Sequence, residues 1–257
     1  MSAAQEPWLS IITIVRNDPE GFRRTLESVA VQELGDVQVL VVDGSENRSQ
    51  IQAAIRSAGV EADYAWEAPK GIYPAMNSGI ARARGTYSMF TNAGDVLHSP
   101  KVVADLREQL KELEVSWGYG QVRFINPDGT AILPTPFDYS HEKRRCFSGG
   151  RFPPHQGTFA RTELLRDLGG FDTKYRICAD YALFLKLSQV SNPLEVGAVI
   201  SDFYVGGLST VAWKESLKEF HDARVSILKP SGVEALRERL GTWSQFAKMS
   251  AARAIKR

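Results

Sequence analysis

"WLSIITIVRN" (residues 8–17) is almost unbroken apolar sequence that closes on two polar residues, Arg16 and Asn17. A strand with one wet face alternates polar and apolar side chains, whereas a run of this kind reads as a strand buried on both faces. Such strands belong mostly to parallel sheets with helices on either side, and that decides the fold class. Moving outward, Asp18-Pro19 opens a helix to about Glu33, with Phe22, Leu26 and Val29 at helical spacing and proline in the first turn. "DVQVLVVDGS" (36–45) is a second buried strand, ending at Asp43-Gly44. "RSQIQAAIRSAG" (48–59) is a helix closed by Gly59. "ADYAWE" (62–67) is a short strand, "GIYPAMNSGIARARG" (71–85) a helical segment, and "TYSMF" (86–90) the next strand.

Strand and helix thus alternate four times with short connections, which predicts an α/β fold with a mostly parallel central sheet covered on both faces. The first strand is not followed by G-x-G-x-x-G, and G-x-x-x-x-G-K-S/T is absent from the sequence, so neither a dinucleotide fingerprint nor a P-loop is available. Ligands of open sheets bind outside the carboxyl ends of the strands. Those ends carry Arg16-Asn17, Asp43, Glu67 and Asn92–Asp95.

Further along, "SPKVVADLREQLKEL" (99–113) reads as a helix with Ser99 as cap and Pro100 in its first position. "VSWGYGQVRFI" (115–125) and "TAILPTP" (130–136) read as strands paired across the turn at 126–129, and 137–154 as a loop. "HQGTFAR" (155–161) is a strand, followed by a helix ending at Gly169-Gly170. "CADYALFLKLSQV" (178–190) is a helix opening on Asp180, and "VGAVISDFYVGGLST" (196–210) a late strand ending at Gly206-Gly207. From Trp213 onward the pattern is helical, so we expect a principal domain over 1–212 and a helical extension over 213–257.

The 257 residues include 31 basic and 30 acidic side chains, a net charge of +1 that argues against a nucleic-acid footprint over the whole surface. Cys146 and Cys178, the two cysteines, match neither a disulfide framework nor a zinc ligand set and predict a reducing compartment. Without a basic n-region or a span-length apolar segment, a cytoplasmic protein is expected. "WSQFAKMSAARAIKR" (243–257) mixes Trp243 and Phe246 with four basic residues. It reads either as a solvated terminal helix or as a tail on the inner, anionic face of the plasma membrane.

"YSMFTNAGDVLH" (87–98) ends its apolar run at Asn-Ala-Gly and leaves one carboxylate, Asp95. One reading is a turn. The other is a site for a hard cation, Mg²⁺ or Mn²⁺, completed by a nucleotide diphosphate. Company decides between them. "SIITIVRN", "VLVVDGS", "KGIYPAMNSGIARARG" and "MFTNAGD", in that order, followed by "HQGTFARTELLRDLGGFD" (155–172), "ICADYALFLKL" (177–187) and "YVGGLST" (204–210), resemble family 2 glycosyltransferases of the GT-A type. Within the family the sequence is similar to bacterial capsular, exopolysaccharide and glycolipid sugar transferases whose helix reads G-I-Y-x-A-M-N-x-G-I. The resemblance covers about residues 8–210.

The resemblance implies a GT-A (Rossmann-like) sheet with C-terminal helices, and transfer of a sugar from a nucleoside diphosphate sugar, with inversion, to a hydroxyl of a glycan or lipid-linked acceptor. It implies that Thr13, Arg16, Asn17 and Asp43 hold the nucleotide, and that Lys70, Gly71, Ala75 and Asn77 lie along it. For Asp43 the alternative is an Asx-turn closing the strand, and for Lys70 a solvated surface charge. The common D-S-D-D element is here Asn92-Ala93-Gly94-Asp95, leaving Asp95 as the metal ligand and Asn92 to contribute an amide oxygen or contact the ribose. That departure puts strict metal dependence in question. Asp180 matches the catalytic base, since an acceptor hydroxyl is a poor nucleophile until a carboxylate takes its proton; capping of its own helix is the alternative. His155 and Gln156 match the family's H-Q pair beside the cleft, where His155 would bind the acceptor, touch the diphosphate or complete the metal shell, a hydrogen-bonded structural histidine being the alternative; Arg176 is a further candidate there. Of Lys143, Arg144, Arg145 and Arg151, one or two are candidates to offset the leaving diphosphate, and the rest read as a solvated charge run. A sugar nucleotidyltransferase and a catalytically silent nucleotide-sugar-binding relative are the alternatives.

Overall fold

A computed structural model describes residues 6–148, 151–205 and 213–255. In chain order the first half comprises β1 (Leu9–Val15), α1 (Pro19–Ala30), β2 (Val37–Asp43), α2 (Arg48–Ala58), β3 (Asp63–Trp66), α3 (Ile72–Arg82) and β4 (Tyr87–Phe90). Then come β5 (Val96–Leu97), α4 (Val102–Leu110), β6 (Trp117–Ile125), β7 (Ala131–Ile132), α5 (Tyr139–Phe147) and a 3₁₀ turn at His155–Gly157. The rest is β8 (Thr158–Arg161), α6 (Thr162–Asp167), α7 (Ala179–Val190), β9 (Leu194–Tyr204), α8 (Trp213–Leu228) and α9 (Gly232–Ile255).

The sheet runs β3-β2-β1-β4-β8-β6-β9-β5, with β7 appended to β6. β1 pairs parallel with β2 and β4, and β2 with β3. β8 is antiparallel to both β4 and β6, while β6 and β9 are parallel. Two reversals therefore cancel, and β1, β2, β3, β4, β6 and β9 all send their carboxyl ends toward one edge. The double-sided burial inferred for β1 is borne out: Ile11 and Ile12, successive residues pointing to opposite faces, sit in two different apolar clusters. Each such buried side chain contributes about 1.5–3 kcal/mol relative to exposure. Helix α3 lies so close to β1 that a Cβ on Gly79 would collide with the Ile12 side chain. Glycine at 79 permits that approach and sets α3 beside the carboxyl edge.

Several local expectations need correction: the strand expected over 155–161 opens with the 3₁₀ turn and only then becomes β8, and that over 130–136 shrinks to the two residues of β7. Residues 137–154 are not all loop, because α5 forms there with Asp138 accepting from the His141 N–H at 3.0 Å as its cap. Helix α4 begins at Val102, not beside a Ser99 cap. Gln32, just past α1, accepts the Val103 N–H at 3.1 Å through Oε1 and donates to the Ser99 carbonyl at 2.7 Å, so a side chain distant in sequence does the capping. The end of the late strand at Gly206-Gly207, and with it most of "YVGGLST", lies outside the described residues. Cys146 and Cys178 are free and buried. Among the described residues no helix is long and apolar enough to cross a membrane.

Candidate active site

A cavity of about 630 Å³ opens at the carboxyl edge beside β1, β2 and β4. Of the residues singled out in the sequence, Arg16, Asp43, Lys70, Gly71, Ala75, Asn92 and Arg176 line it. Arg16, Lys70 and Arg176 come from three separate segments, and their convergence suits a polyanion such as a diphosphate. Asp18 and Glu67 also line it. Glu67 is held by the Ser78 hydroxyl and by Arg82 at 2.9 Å, and these partners keep its carboxyl below the ordinary range.

The strand ends are tied to one another. Asp43 is fully buried. Its Oδ1 accepts from the Ser45 N–H and its Oδ2 from the Tyr64 hydroxyl, both at 2.7 Å. The turn reading of Asp43 and its place at the cavity wall therefore both hold. Burial, with the Asp43 carboxylate adjacent, pushes the Tyr64 phenol up to about 12. Asn17, in the left-handed region at φ 54°, donates its N–H to Ser45 Oγ at 2.8 Å and accepts from the Glu46 N–H at 3.0 Å. It clasps β1 to the β2 turn and is not among the lining residues. Asn77 is not among them either: its amide donates to the Phe171 carbonyl and accepts the Phe171 N–H, each at 2.8 Å, joining α3 to the turn after α6. Thr13 is buried with an unpartnered hydroxyl, away from the cavity lining. Nothing local in the sequence marked Tyr64, because its partner is settled only when β3 pairs with β2, whereas the Ser45 N–H is the ordinary i+2 partner of the Asp43 turn.

At the end of β4, the Asp95 N–H donates to the Asn92 carbonyl at 2.8 Å, with Gly94 at φ 99°, a conformation that favours glycine. Thr25 of α1 donates its hydroxyl to the Asp95 carbonyl at 2.7 Å and pins this turn. The Asp95 side chain is buried, and desolvation pushes its carboxyl up to about 7, partly offset by His155 alongside. On the same turn, Asn92 Oδ1 is buried without a hydrogen-bond partner. A costly buried carboxyl and an orphaned amide oxygen are what a hard divalent cation relieves. The pair fits Mg²⁺ or Mn²⁺ provided the bound ligand brings further oxygens, since among the described residues no three His, Cys, Asp or Glu side chains come together to hold a metal.

His155 links this turn to Asp180. Its Nε2 lies 3.2 Å from Asn92 Nδ2, and its Nδ1 lies 3.5 Å from Asp180 Oδ2. With the amide donating, Nε2 accepts and the ring proton sits on Nδ1, facing the carboxylate. Asp180 Oδ1 accepts from the Tyr181 N–H at 2.8 Å and lies 3.5 Å from the Tyr73 hydroxyl. His155, Asp180 and Pro153 line a second, small cavity of about 30 Å³. Gln156 is buried in the 3₁₀ turn.

The segment leading into α7 is held from far away. Glu219 of α8 accepts the N–H groups of Arg176, Ile177 and Cys178 at 2.9, 2.8 and 3.0 Å. Asp222, one turn on, accepts from the Tyr175 hydroxyl at 2.8 Å. Sequence reasoning missed both acids, for they sit more than 40 residues away on a helix whose packing no local pattern discloses. The loop cations expected at the diphosphate are elsewhere. Lys143, Arg144, Arg145 and Arg151 do not line the large cavity. Arg151 is spent on the carbonyls of Thr135 and Pro136 and on Glu142, and Lys143 stands 5.2 Å over the Tyr139 ring.

Residues 10–169 match the family model for glycosyl transferase family 2. Over 211 residues the chain is 31% identical to an uncharacterized glycosyltransferase of Mycobacterium tuberculosis (strain ATCC 25618 / H37Rv), covering 79% of this chain and 78% of that protein. Among solved structures, the mannosyltransferase PcManGT from Pyrobaculum calidifontis in complex with GDP-Man and Mn²⁺ superposes with a TM-score of 0.67 at 17% identity, covering 98% of this chain and 76% of that one. S. aureus TarS 1–349 in complex with UDP gives a TM-score of 0.67 at 15% identity, covering 91% and 69%. At these identities the likeness is one of fold, a curled, mostly parallel GT-A sheet with helices.

Proposed function

The chain belongs to glycosyltransferase family 2 and is a glycosyltransferase, and we propose that it moves a hexosyl or deoxyhexosyl unit from a nucleoside diphosphate sugar to a hydroxyl of a glycan or lipid-linked acceptor, with inversion at the anomeric carbon. The setting is cell-envelope polysaccharide or glycolipid synthesis. The observation that carries this reading is the convergence of Arg16, Lys70, Arg176 and Asn92 on one cavity, with Asp180 joined to Asn92 through His155. In this reading residues 1–212 form the transferase domain and 213–257 an extension whose Glu219 reaches back to the site.

The donor's base lies at the Asp43 end, with its diphosphate among Arg16, Lys70 and Arg176. An acceptor hydroxyl attacks the anomeric carbon from the face opposite the diphosphate. Its proton passes to Asp180, the new C–O bond forms, and the nucleoside diphosphate departs with the electrons of the broken bond. His155, with Nδ1 3.5 Å from Asp180 Oδ2, holds its direction; Glu219, by fixing the backbone before α7, holds its place. Asp95, with Asn92, is where Mg²⁺ or Mn²⁺ would be held, and such an ion supplies charge compensation to the departing diphosphate. Neighbours of this fold were solved with UDP and with GDP-Man, which supports a nucleotide-sugar donor and leaves the base open.

The test incubates the protein with UDP-, GDP- and dTDP-sugars, with and without Mn²⁺, over a panel of sugar and polyprenyl-linked acceptors. The expected product is free nucleoside diphosphate, together with a glycosylated acceptor carrying the opposite anomeric configuration. Pyrophosphate would point to a nucleotidyltransferase. Binding of a sugar nucleotide, seen as a raised melting temperature, with no turnover on any acceptor and no change on Asp180→Asn, would point to a silent relative.

A further inference from the structure

Helix α9 has two unlike faces. Its inner face is locked to α8 by a buried polar clasp. Glu238 Oε1 accepts from Arg224 Nε at 2.6 Å and lies 3.2 Å from His221 Nδ1, while Thr242 Oγ1 accepts from Arg224 Nη2 at 3.0 Å. Arg224 itself is fully buried. That clasp fixes the rotation of α9 about its axis. What it turns outward is an apolar stripe at positions 233, 236, 240 and 243, where Val233 is 65% exposed, Leu236 58%, Leu240 61% and Trp243 76%. The 3-4-3 spacing puts all four on one side of the helix.

The charges flanking the stripe are of one sign, exposed Glu234 lying about 140° from its centre line. Arg237 and Arg239 are both exposed, and at 3.6 residues per turn they lie about 80° to either side of the stripe's centre line. Glu238, the acid between them, is turned inward into the clasp. Beyond it the sequence contains no acidic residue, while Arg239, Lys248, Arg253, Lys256 and Arg257 continue the basic run. Leucine and tryptophan on one line with arginine on both flanks complement a surface that is apolar within and negative at its rim. A second copy of the same face fits poorly, because a two-fold axis through the stripe would oppose one arginine rim to another.

We propose that the outer face of α9 is a docking surface for an anionic lipid bilayer, with Leu240 and Trp243 entering the interface and Arg237 and Arg239 at the headgroups. This goes beyond the transfer reaction and does not depend on it. The test is co-sedimentation of the full chain with vesicles of phosphatidylcholine alone and of phosphatidylcholine mixed with phosphatidylglycerol. Binding is expected to the mixed vesicles and to weaken with added salt. The L240S/W243S variant should lose it, and R237Q/R239Q should lower it by about fivefold per arginine removed. Both variants change exposed side chains, so an unaltered melting temperature and circular-dichroism spectrum establishes that they fold. Absence of wild-type binding to the mixed vesicles, or equal binding by wild type and L240S/W243S, would overturn the proposal. So would a wild-type dimer in sedimentation velocity that becomes a monomer in L240S/W243S, which would assign the stripe to self-association.

Discussion

The carboxyl-edge end of the site and its Asp180 end, which lines the smaller cavity, are built by different means. At the end lined by Arg16, Asp43 and Asn92, every side chain stands at or just past a strand terminus, and the strands are neighbours within the first 95 residues. At the other end, Arg176 and Asp180 stand on the entry to one helix. That entry is held by Glu219 and Asp222 from another helix and met by His155 from a turn before an antiparallel strand. The first end is a product of parallel-sheet geometry. The second exists only after three distant segments have packed, so its perturbation should cut chemistry while leaving donor binding in place.

Asp180→Asn gives the largest expected effect on that contrast. It should lower the transfer rate by about 10²–10⁴-fold, while the melting-temperature rise caused by bound UDP or GDP stays as in wild type. Loss of the nucleotide-induced rise would dissolve the distinction between the ends.

Asp95→Asn tests the strand end and should cut metal-supported transfer by about a hundredfold or more. Its stability effect has the opposite sign. The folded carboxyl is raised to about 7 from its ordinary value of 3.8, so the folded chain binds the proton more tightly than the unfolded one. Stability from this group is full below about pH 4 and is lost as pH rises toward 7. Above pH 7, without metal or nucleotide, wild type carries the whole cost, as much as about 4 kcal/mol, and the asparagine variant should melt higher. At pH 4 that advantage should vanish. A lower melting temperature for the variant at pH 8 would contradict the burial argument.

Glu219→Ala leaves three N–H groups without their carboxylate and should destabilise the chain by about 1–3 kcal/mol. It should also reduce kcat more than donor KM. Equal changes in kcat and KM would show Glu219 serving the fold alone. The smallest effect expected is for Tyr64→Phe, which removes one hydrogen bond from Asp43 and should weaken nucleotide binding by about 1 kcal/mol in isothermal titration, with kcat unchanged.

The same contrast explains what the sequence disclosed. The doubly buried strands, their order in the first half and the polar residues at their ends were legible, because each follows from a local apolar run and its terminator. Asp180 and His155 emerged only by resemblance to a family. Their mutual approach depends on β8 inserting antiparallel between β4 and β6, which no short pattern encodes. Asn17 and Asn77 stood where a nucleotide contact was expected, yet their amides are committed to the backbone of Glu46 and Phe171. A polar residue beside a site looks alike in sequence whether it faces the ligand or staples the wall. Ser99 misled for a related reason, since Gln32 reached the helix end first.

The chain's two thiols, at 146 and 178, are both sealed inside the fold, and burial pushes the Cys146 thiol up to about 12. A maleimide dye should therefore ignore the native protein, and one cysteine engineered at exposed Ser244 would become its sole fast-reacting handle. Fluorescence from that label would report on the surroundings of the last helix without any background to subtract.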